Sequence, residues 1–338
     1  MPAQSSSPAP GSAWTFTWQQ WGLPALCAAL IGSAASLTAV TQTPPQVPPP
    51  VAWEPTGPRT TWRDISFIVP AGMQGSNKGD FYDMVGPGIR GGRFGQCAIV
   101  VLGDVPAGAD LGRQAHELLT TALAGLGQRV TYVRGQPDLT VGRSADGWSW
   151  VELSGIVGDG RARIMLIVRG ATVVPIMAIA TSANGCVGLL GETTPNSNTI
   201  TWLWLYHSLK VAGSTPSTHL REQIIGRWDA LSVSTGGQVG MSQGETYAPN
   251  GRYTYASMLG ADGGSGFLTR DFTGDGRYVV EGNRLTIFPD RGAPQTRLIH
   301  IVEDREATVP PRSTVRLCQI NVGVVGGPYE RCLPRSVP

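Results

Sequence analysis

The first 53 residues contain no Lys, Arg, Asp or Glu, and no other feature constrains the fold of this chain as strongly. Within them, Trp21 to Val40 form an apolar run of 20 residues with one ionisable group, the thiol of Cys27. A helix of that length spans roughly 30 Å, the thickness of a bilayer's hydrocarbon core. Because charge is costly in lipid, the run predicts a single transmembrane helix followed by extramembrane domains.

The alternative interpretation of this segment is a cleaved secretory signal peptide. A signal peptide has a positive n-region and a small-residue cleavage site. Residues 1–20 carry no positive side chain, although residues 33–35 (SAA) resemble a cleavage site. Trp14, Trp18 and Trp21 precede the apolar run, as interfacial aromatic residues do in retained anchors. The pattern favours an anchor over a signal peptide, and both interpretations export the rest of the chain.

Small residues recur in the predicted anchor at four-residue spacing, which lets a second helix approach closely. The simpler explanation is that Ala and Ser are frequent there. We expect lipid or partner contacts from the following residues: Trp14, Trp18, Trp21, Ala25, Ala29, Gly32 and Ser33.

Two signals disagree on membrane orientation. Arg59 and Arg63 follow the apolar run, and the positive-inside rule then places the C-terminal part in the cytoplasm. The cysteines point the other way, because one pair in each half fits two intradomain disulfides and an oxidising compartment. These cysteines are Cys97, Cys186, Cys318 and Cys332. We favour a single-pass membrane protein whose soluble domains lie on the periplasmic side.

Composition divides the chain into segments and limits its partners. Gly numbers 45 and charged residues make up 15%, which favours short strands and turns over long helices. A net charge of +2 argues against nucleic acid as a partner. The predicted segments are an N-terminal tail (1–20), the anchor (21–40), a Pro-rich linker (41–59), a first domain (60–212), a second linker (213–221) and a second domain (222–338).

The first domain has one clear helix among predicted strands. Asp110 to Leu126 follow helical periodicity, with Asp110 as the N-cap and Gly127 as the stop. A Gly-rich loop is expected over Gln74 to Gly95, where Arg90 and Arg93 are candidates for docking onto a partner. A closing helix is expected over Ile200 to Val211. The predicted strands cover residues 65–70, 97–102, 130–134, 139–143, 148–153, 162–168 and 173–180.

Phe67 to Met73 (FIVPAGM) resemble the opening strand and turn of the Mog1/PsbP-like fold. The order of predicted elements, strands around one long helix and a closing helix, is similar to that fold over about 140 residues. The resemblance implies an antiparallel sheet with flanking helices. Because PsbP-like proteins are extrinsic subunits or assembly factors of photosystems, and other members of the fold are adaptors, it also implies a role of that kind.

The second domain resembles bacterial lipocalin-like domains. The resemblance is carried by Ile225 to Trp228 (IGRW), Tyr247 to Tyr253 (YAPNGRY), Phe272 to Tyr278 (FTGDGRY) and Val279 to Ile287 (VVEGNRLTI). Each of the last three reads as a strand, turn and strand. The family implies a β-barrel closed at one end by Trp228 and a late arginine, for which Arg316 is the candidate. Cys318 and Cys332 would then join the last strand to the tail.

Motifs for catalysis, cofactors or metals are weak. Residues 86–91 satisfy GxGxxG, but a strand follows where a dinucleotide site needs a helix. Residues 271–276 (DFTGDG) lack the ligand set of a calcium loop and read as a hairpin turn. The four histidines occur without zinc or haem spacing and are interpreted as structural or surface residues. We therefore predict no catalytic, cofactor-binding or metal-binding residues. Trp202, Trp204 and Tyr206 are interpreted as core and interdomain packing, with an exposed partner-binding patch as the alternative.

Taken together, the patterns predict an α+β domain followed by an all-β domain: a single N-terminal transmembrane helix, an antiparallel sheet with flanking helices, and a lipocalin-like antiparallel β-barrel. The predicted function is that of a non-enzymatic, membrane-anchored accessory subunit stabilising an integral membrane complex, such as a photosynthetic reaction centre with its light-harvesting polypeptides. The alternative is an envelope carrier of a small apolar ligand, with Tyr253, Tyr255, Phe272, Tyr278 and Phe288 lining the barrel.

Overall fold

The computed structural model describes residues 51–86, 97–180, 199–233, 239–262, 267–323 and 327–336, except residues 52, 134 and 309. Within these ranges the chain forms 19 strands and three helices. The strands are β1 Arg59–Trp62, β2 Ile65–Ile68, β3 Gln74–Asn77, β4 Phe81–Gly86, β5 Cys97–Leu102, β6 Val105–Pro106, β7 Leu139–Arg143, β8 Ser149–Val157, β9 Gly160–Arg169, β10 Thr172–Ala180, β11 Lys210–Val211, β12 Gly226–Val233, β13 Val239–Tyr247, β14 Arg252–Asp262, β15 Phe267–Glu281, β16 Arg284–Pro289, β17 Gln295–Glu306, β18 Arg312–Gly323 and β19 Gly327–Pro334. The helices are α1 Leu111–Gly125, α2 Thr199–Ser208 and α3 His219–Gln223.

Sixteen of these strands belong to one antiparallel sheet, and β1, β2 and β11 form a small second sheet. The path of the large sheet runs from β12 through β13, β14, β15, β16 and β17 to β7, and then through β8, β9, β10, β5 and β4 to β3. Strand β17 pairs with β16 through residues 295–298, with β7 through 302–305 and with β18 through 299–306. Strands from both halves of the sequence therefore share one hydrogen-bonded ladder at β17.

Helices α1 and α2 contribute to different cores of the sheet. From α1, Ala115, Leu119 and Leu123 pack with Ile164 and Leu166 of β9. From α2, buried side chains pack with other residues of β9 and β10. Because β9 packs into both cores, residues 162–167 are all buried. They do not alternate between buried and exposed positions.

The long helix predicted over 110–126 is confirmed as α1. Asp110 Oδ1 accepts a hydrogen bond from the backbone N–H of Arg113 at 3.0 Å, which caps one of the free donors of the first turn. Gly127 follows with a φ of +67°, a conformation that glycine adopts at low cost. The predicted closing helix is confirmed as α2, except that residues 210–211 form β11 instead.

Residues 74–86 correct the prediction of a single Gly-rich loop. They form a hairpin, β3 and β4, which joins the large sheet through the pairing of β4 with β5. The predicted strand 130–134 is also wrong, since its described residues, 130–133, form only an isolated bridge, between Thr131 and Ile156. Residues 87–96, which include Arg90 and Arg93, lie outside the described residues.

Residues 272–278 do not form the predicted turn. They lie within β15, which is one continuous strand of 15 residues paired with both β14 and β16. Gly276 serves close approach, because a Cβ there would lie 2.4 Å from the carbonyl oxygen of Phe288. The predicted Asn-Gly turn is confirmed, with Gly251 at a φ of +79° between β13 and β14.

The fold-class prediction is wrong. The described chain is mostly β, with one sheet continuing through both halves instead of an α+β domain followed by a separate barrel. A lipocalin-like barrel would need β12 and β19 to pair along their length. In the described residues a single bridge joins these two ends of the sheet, between Trp228 of β12 and Arg335, the residue after β19. The strands are instead extended sideways by β7, which the sequence assigned to the first domain.

The prediction of a single-pass membrane protein is also corrected. None of the helices within the described ranges is long and apolar enough to cross a bilayer. The longest, α1, has 15 residues and carries Arg113 and Glu117. The segment predicted as the anchor, residues 21–40, lies outside the described residues, as do Trp14 and Trp18.

Cysteines in the second half are cross-linked. A disulfide joins Cys318 to Cys332, which face each other on β18 and β19. Cys97 is also disulfide-bonded, and its predicted partner, Cys186, lies outside the described residues.

Candidate functional site

A polar cleft of about 760 Å³ opens on the face of the sheet formed by β13 to β19. Side chains two positions apart on a strand point to the same face. Four strands supply such pairs to the cleft, and single residues complete it. The lining residues are Glu245, Tyr253, Tyr255, Thr273, Gly274, Asp275, Ile287, Pro289, Asp290, Arg291, Gln295, Arg297, Asn321 and Arg331.

Glu245 lies in the wall of the cleft and is 1% exposed. Its Oε2 accepts hydrogen bonds from Tyr247 Oη at 2.5 Å and Gln319 Nε2 at 2.6 Å. Its Oε1 accepts from Arg331 and lies 3.9 Å from Arg297 Nη1. Burial acts to raise the pKa of this carboxyl, but the two guanidiniums and the neutral donors outweigh it and hold the pKa below its ordinary value.

Arg297 and Arg331 place more positive charge in the cleft than Glu245 neutralises. Arg297 donates to Gln319 Oε1 at 2.8 Å and to Gln295 Oε1 at 2.7 Å, both neutral acceptors. Arg331 donates to Glu245, and its buried Nε has no hydrogen-bond partner in the described part of the chain. Two guanidiniums beside one carboxylate leave an excess of one positive charge.

Acidic and basic side chains balance at the rim. Asp290 accepts from Arg252 at 3.1 Å, and both are substantially exposed. Arg291 and Asp275 also line the cleft, and both are exposed. The rim is therefore close to neutral, while the interior is positive.

Tyr253 contributes an aromatic wall. Its ring lies 5.3 Å from that of Tyr247, which in turn lies 5.0 Å from Tyr278. Burial raises the pKa of Tyr253 well above its ordinary value, so its hydroxyl stays protonated.

The residues predicted to line an apolar cavity are only partly brought together. Tyr253 and Tyr255 line the cleft, whereas Tyr278 packs in the core and donates to the carbonyl oxygen of Ala248 at 2.9 Å. Phe288 is not among the lining residues, and the side chain of Phe272 lies outside the described ones. Tyr253 and Tyr255, which lie two positions apart, gave the local sequence signal for a ligand site. No local sequence signal marked the arginines of the cleft.

The late arginine that accompanies Trp228 is Arg335, not the predicted Arg316. The guanidinium of Arg335 lies 5.4 Å from the centre of the Trp228 ring and donates to the carbonyl oxygen of Ile225 at 2.7 Å. Arg316 instead pairs with Asp304. Because β19 pairs with β18, the chain after β19 reaches β12, and Arg335 lies beside Trp228. The order of residues in the sequence does not reveal this proximity.

A second polar group is buried beneath α2. Glu152 Oε1 lies 3.3 Å from Arg163 Nε, and its Oε2 accepts from Trp202 Nε1 at 3.1 Å. Burial raises the pKa of Glu152 against the opposing effects of Arg163 and Trp202. The burial of Trp202 and Tyr206 agrees with their interpretation as core residues.

His207 of α2 lies next to His300 of β17, with ring centres 5.3 Å apart. Burial, and then the neighbouring His300, hold the pKa of His207 well below its ordinary value. His116 and His219 bond to Tyr132 and to the backbone of Arg143, respectively. These contacts suit structural roles.

Comparison with protein-family models and with curated proteins gives no match for this chain. Its function is therefore argued from the geometry and charge of the cleft.

Proposed function

We propose that the protein is a non-catalytic binding protein that holds a small organic anion in the cleft. The observation that carries the proposal is the excess positive charge of Arg297 and Arg331 inside a cavity of ligand size. The cleft volume of about 760 Å³ falls within the range of small-molecule sites. Guanidinium groups bind carboxylate and phosphate oxygens through two parallel hydrogen bonds, which favours an oxyanion as ligand.

The lining favours a polar ligand over the apolar one predicted from the sequence. Asn321, Gln295 and Thr273 add hydrogen-bond donors and acceptors to the lining, and Tyr255 adds an aromatic ring. An apolar ligand would remove these groups from water without replacing their hydrogen bonds, at a cost of about 1–3 kcal/mol each.

Binding is favoured over catalysis because the cleft offers no group suited to proton transfer near neutral pH. The described lining residues include no His, Cys or Lys. Glu245 is committed to four partners, and its lowered pKa makes it a weak base.

The experiment compares four probes: citrate, inorganic phosphate, glucose and oleate. We expect citrate or phosphate to raise the melting temperature and to give a calorimetric binding signal that weakens with added salt. Glucose and oleate should give none. Tight binding of oleate would instead support the apolar-carrier role. If neither citrate nor phosphate bound, the proposal would be contradicted.

The matched variants are Arg297→Gln in the cleft and Arg312→Gln at an exposed site on β18. Arg297 is chosen because it donates hydrogen bonds to two neutral glutamines, so its loss leaves Glu245 paired with Arg331. A charge-assisted hydrogen bond is worth about 1.5–3 kcal/mol, so R297Q should weaken anion binding by about tenfold or more. R312Q should bind like the unchanged protein.

The role of extrinsic accessory subunit stays a prediction. The residues that carry it, 14–33, 90 and 93, lie outside the described residues. Copurification of the full-length chain with a detergent-solubilised integral membrane complex would test it independently of the cleft.

A further inference from the structure

Three side chains of metal-ligating type meet in the core beneath α2, away from the cleft. His300 lies on β17, Cys318 on β18 and Glu330 on β19, and one ligand atom of each lies within 4.8 Å of the other two. Their exposed fractions are 4%, 1% and 3%. The sheet brings them together because His300 pairs with Cys318 across β17 and β18, and Cys318 pairs with Cys332 across β18 and β19. Glu330 lies on β19 two positions before Cys332, so both side chains point to the same face.

Glu330 is the member that points to a missing ligand. Its Oε1 lies 2.9 Å from His300 Nε2. Neither of its oxygens accepts a well-formed hydrogen bond in the described part of the chain, and His300 Nδ1 also has no partner there. Buried carboxylates in native structures are almost always satisfied by donors or by metal ions, so this arrangement calls for an explanation.

The disulfide between Cys318 and Cys332 decides whether the third ligand exists. A sulfur within a disulfide is not a thiolate, and zinc requires the thiolate. We propose that reduction of the Cys318–Cys332 disulfide creates a Zn²⁺ site made by Cys318, His300 and Glu330. The Cys332 thiol released beside Cys318 is the nearest candidate for a fourth ligand.

The chemistry of the switch balances with a dithiol as the reductant. The dithiol supplies two electrons and two protons, the S–S bond opens to two thiols, and the dithiol itself becomes a disulfide. Binding of Zn²⁺ then displaces the proton of Cys318 Sγ to solvent. Sulfur, imidazole nitrogen and carboxylate oxygen together suit zinc.

The geometry requires only small movements. Ligand atoms around a tetrahedral zinc ion are separated by about 3.2–3.8 Å, given metal–ligand distances near 2.0–2.3 Å. The ligand atoms of His300, Cys318 and Glu330 now lie up to 4.8 Å apart. Rotation of their side chains is enough to bring these distances into that range. A cavity of about 90 Å³ borders His300, and its lining includes the exposed Lys210, which provides a route for the ion.

Two matched variants of the full-length chain test the site without any reductant. Cys332→Ser and Cys318→Ser both remove the disulfide, but only C332S leaves the Cys318 thiol in the cluster. After equilibrium dialysis against zinc chloride, we expect C332S to hold about one zinc ion per chain more than C318S. Adding Glu330→Gln to C332S should weaken zinc binding by about tenfold or more.

A second measurement uses the unchanged protein and does not depend on the folding of the variants. Zinc uptake should appear when the protein is reduced by a dithiol and should disappear on reoxidation. Cobalt substituted for zinc should show a thiolate-to-metal absorption band in C332S and none in the double variant Cys318→Ser with Cys332→Ser, which has neither thiol. Equal zinc binding by C318S and C332S, or no reduction-dependent uptake by the unchanged protein, would overturn the proposal.

Discussion

At the scale of single residues, burial decides the behaviour of the charged groups beneath α2. Glu152 and Arg163 are 3% and 1% exposed, and each is the other's ionic partner at 3.3 Å. Such pairs add little net stability, but removing one member leaves a buried charge without a partner.

We therefore predict that Arg163→Met lowers the free energy of unfolding by about 3–5 kcal/mol. The double variant Glu152→Gln with Arg163→Met should recover most of that loss, because glutamine carries no charge and still accepts from Trp202. Urea denaturation measures both. If the double variant were as unstable as the single one, the loss would come from packing instead.

His207 makes stability depend on pH. Its pKa in the folded protein lies well below the unfolded value of about 6.5, so the folded state keeps it neutral. Its contribution to stability is complete above the unfolded pKa and is lost as pH falls towards the folded pKa. The charged or titratable groups near it include His300, Tyr206, Lys210 and Asp146.

The substitution His207→Asn should flatten this dependence. Between pH 7 and 5, the unfolding free energy of the unchanged protein should fall by up to about 1.4 kcal/mol per pH unit more than that of the variant. If the unfolding free energies of the two proteins changed in parallel with pH, the pKa of His207 would be the same in the folded and unfolded states.

At the scale of elements, β15 shows why glycine alone does not mark a turn. Gly274 and Gly276 both lie inside this strand, yet their surroundings differ. A Cβ at Gly276 would lie 2.4 Å from the carbonyl oxygen of Phe288, whereas a Cβ at Gly274 would meet nothing within 4 Å.

This difference predicts opposite outcomes for the same substitution. Gly276→Ala should cost about 1–3 kcal/mol of stability, because β16 must move away. Gly274→Ala should leave stability unchanged or raise it by up to about 1 kcal/mol, since alanine restricts the unfolded chain. Urea denaturation of the two variants checks this. A mild effect at residue 276 would indicate that the contact with β16 is looser than described.

Local patterns predicted the elements whose hydrophobic periodicity is strong. Strands β5 and β7 match the predicted ranges 97–102 and 139–143, and α1 matches its predicted cap and stop. The errors at residues 74–86 and 272–278 have a common cause, which is that tertiary pairing overrode turn-forming residues. Residues 272–278 are drawn into a strand by partners on both sides.

The cleft was largely beyond local sequence patterns. Its residues come from seven strands, and the pair Glu245 and Arg331 is separated by 86 positions. Only Tyr253 and Tyr255 were expected at a ligand site. A guanidinium becomes a ligand-binding group here because of the neighbours that the sheet supplies, which no spacing motif encodes.

At the scale of the whole molecule, β17 joins strands from both halves of the sequence. Its pairing with β7 is reinforced by a hydrogen bond from Thr140 Oγ1 to Asp304 Oδ1 at 2.9 Å. The core beneath α2 likewise combines Trp150 with Val302.

We expect residues 51–336 to unfold in one cooperative transition, because neither half completes its sheet or its core alone. Thermal unfolding followed by tryptophan fluorescence and by far-UV circular dichroism should give coincident curves. Two separate transitions would instead support an independent domain boundary at the predicted linker, 213–221.

The position of β17 has a further consequence for how long its backbone protons survive in heavy water. Residues 302–305 are flanked by β7 on one side and β18 on the other, so water reaches their amides only when neighbouring strands separate. Their deuterium uptake should therefore be among the slowest in the chain and should report the free energy of global opening. Deuterium exchange in the middle of β17 thus reports on the integrity of the whole sheet.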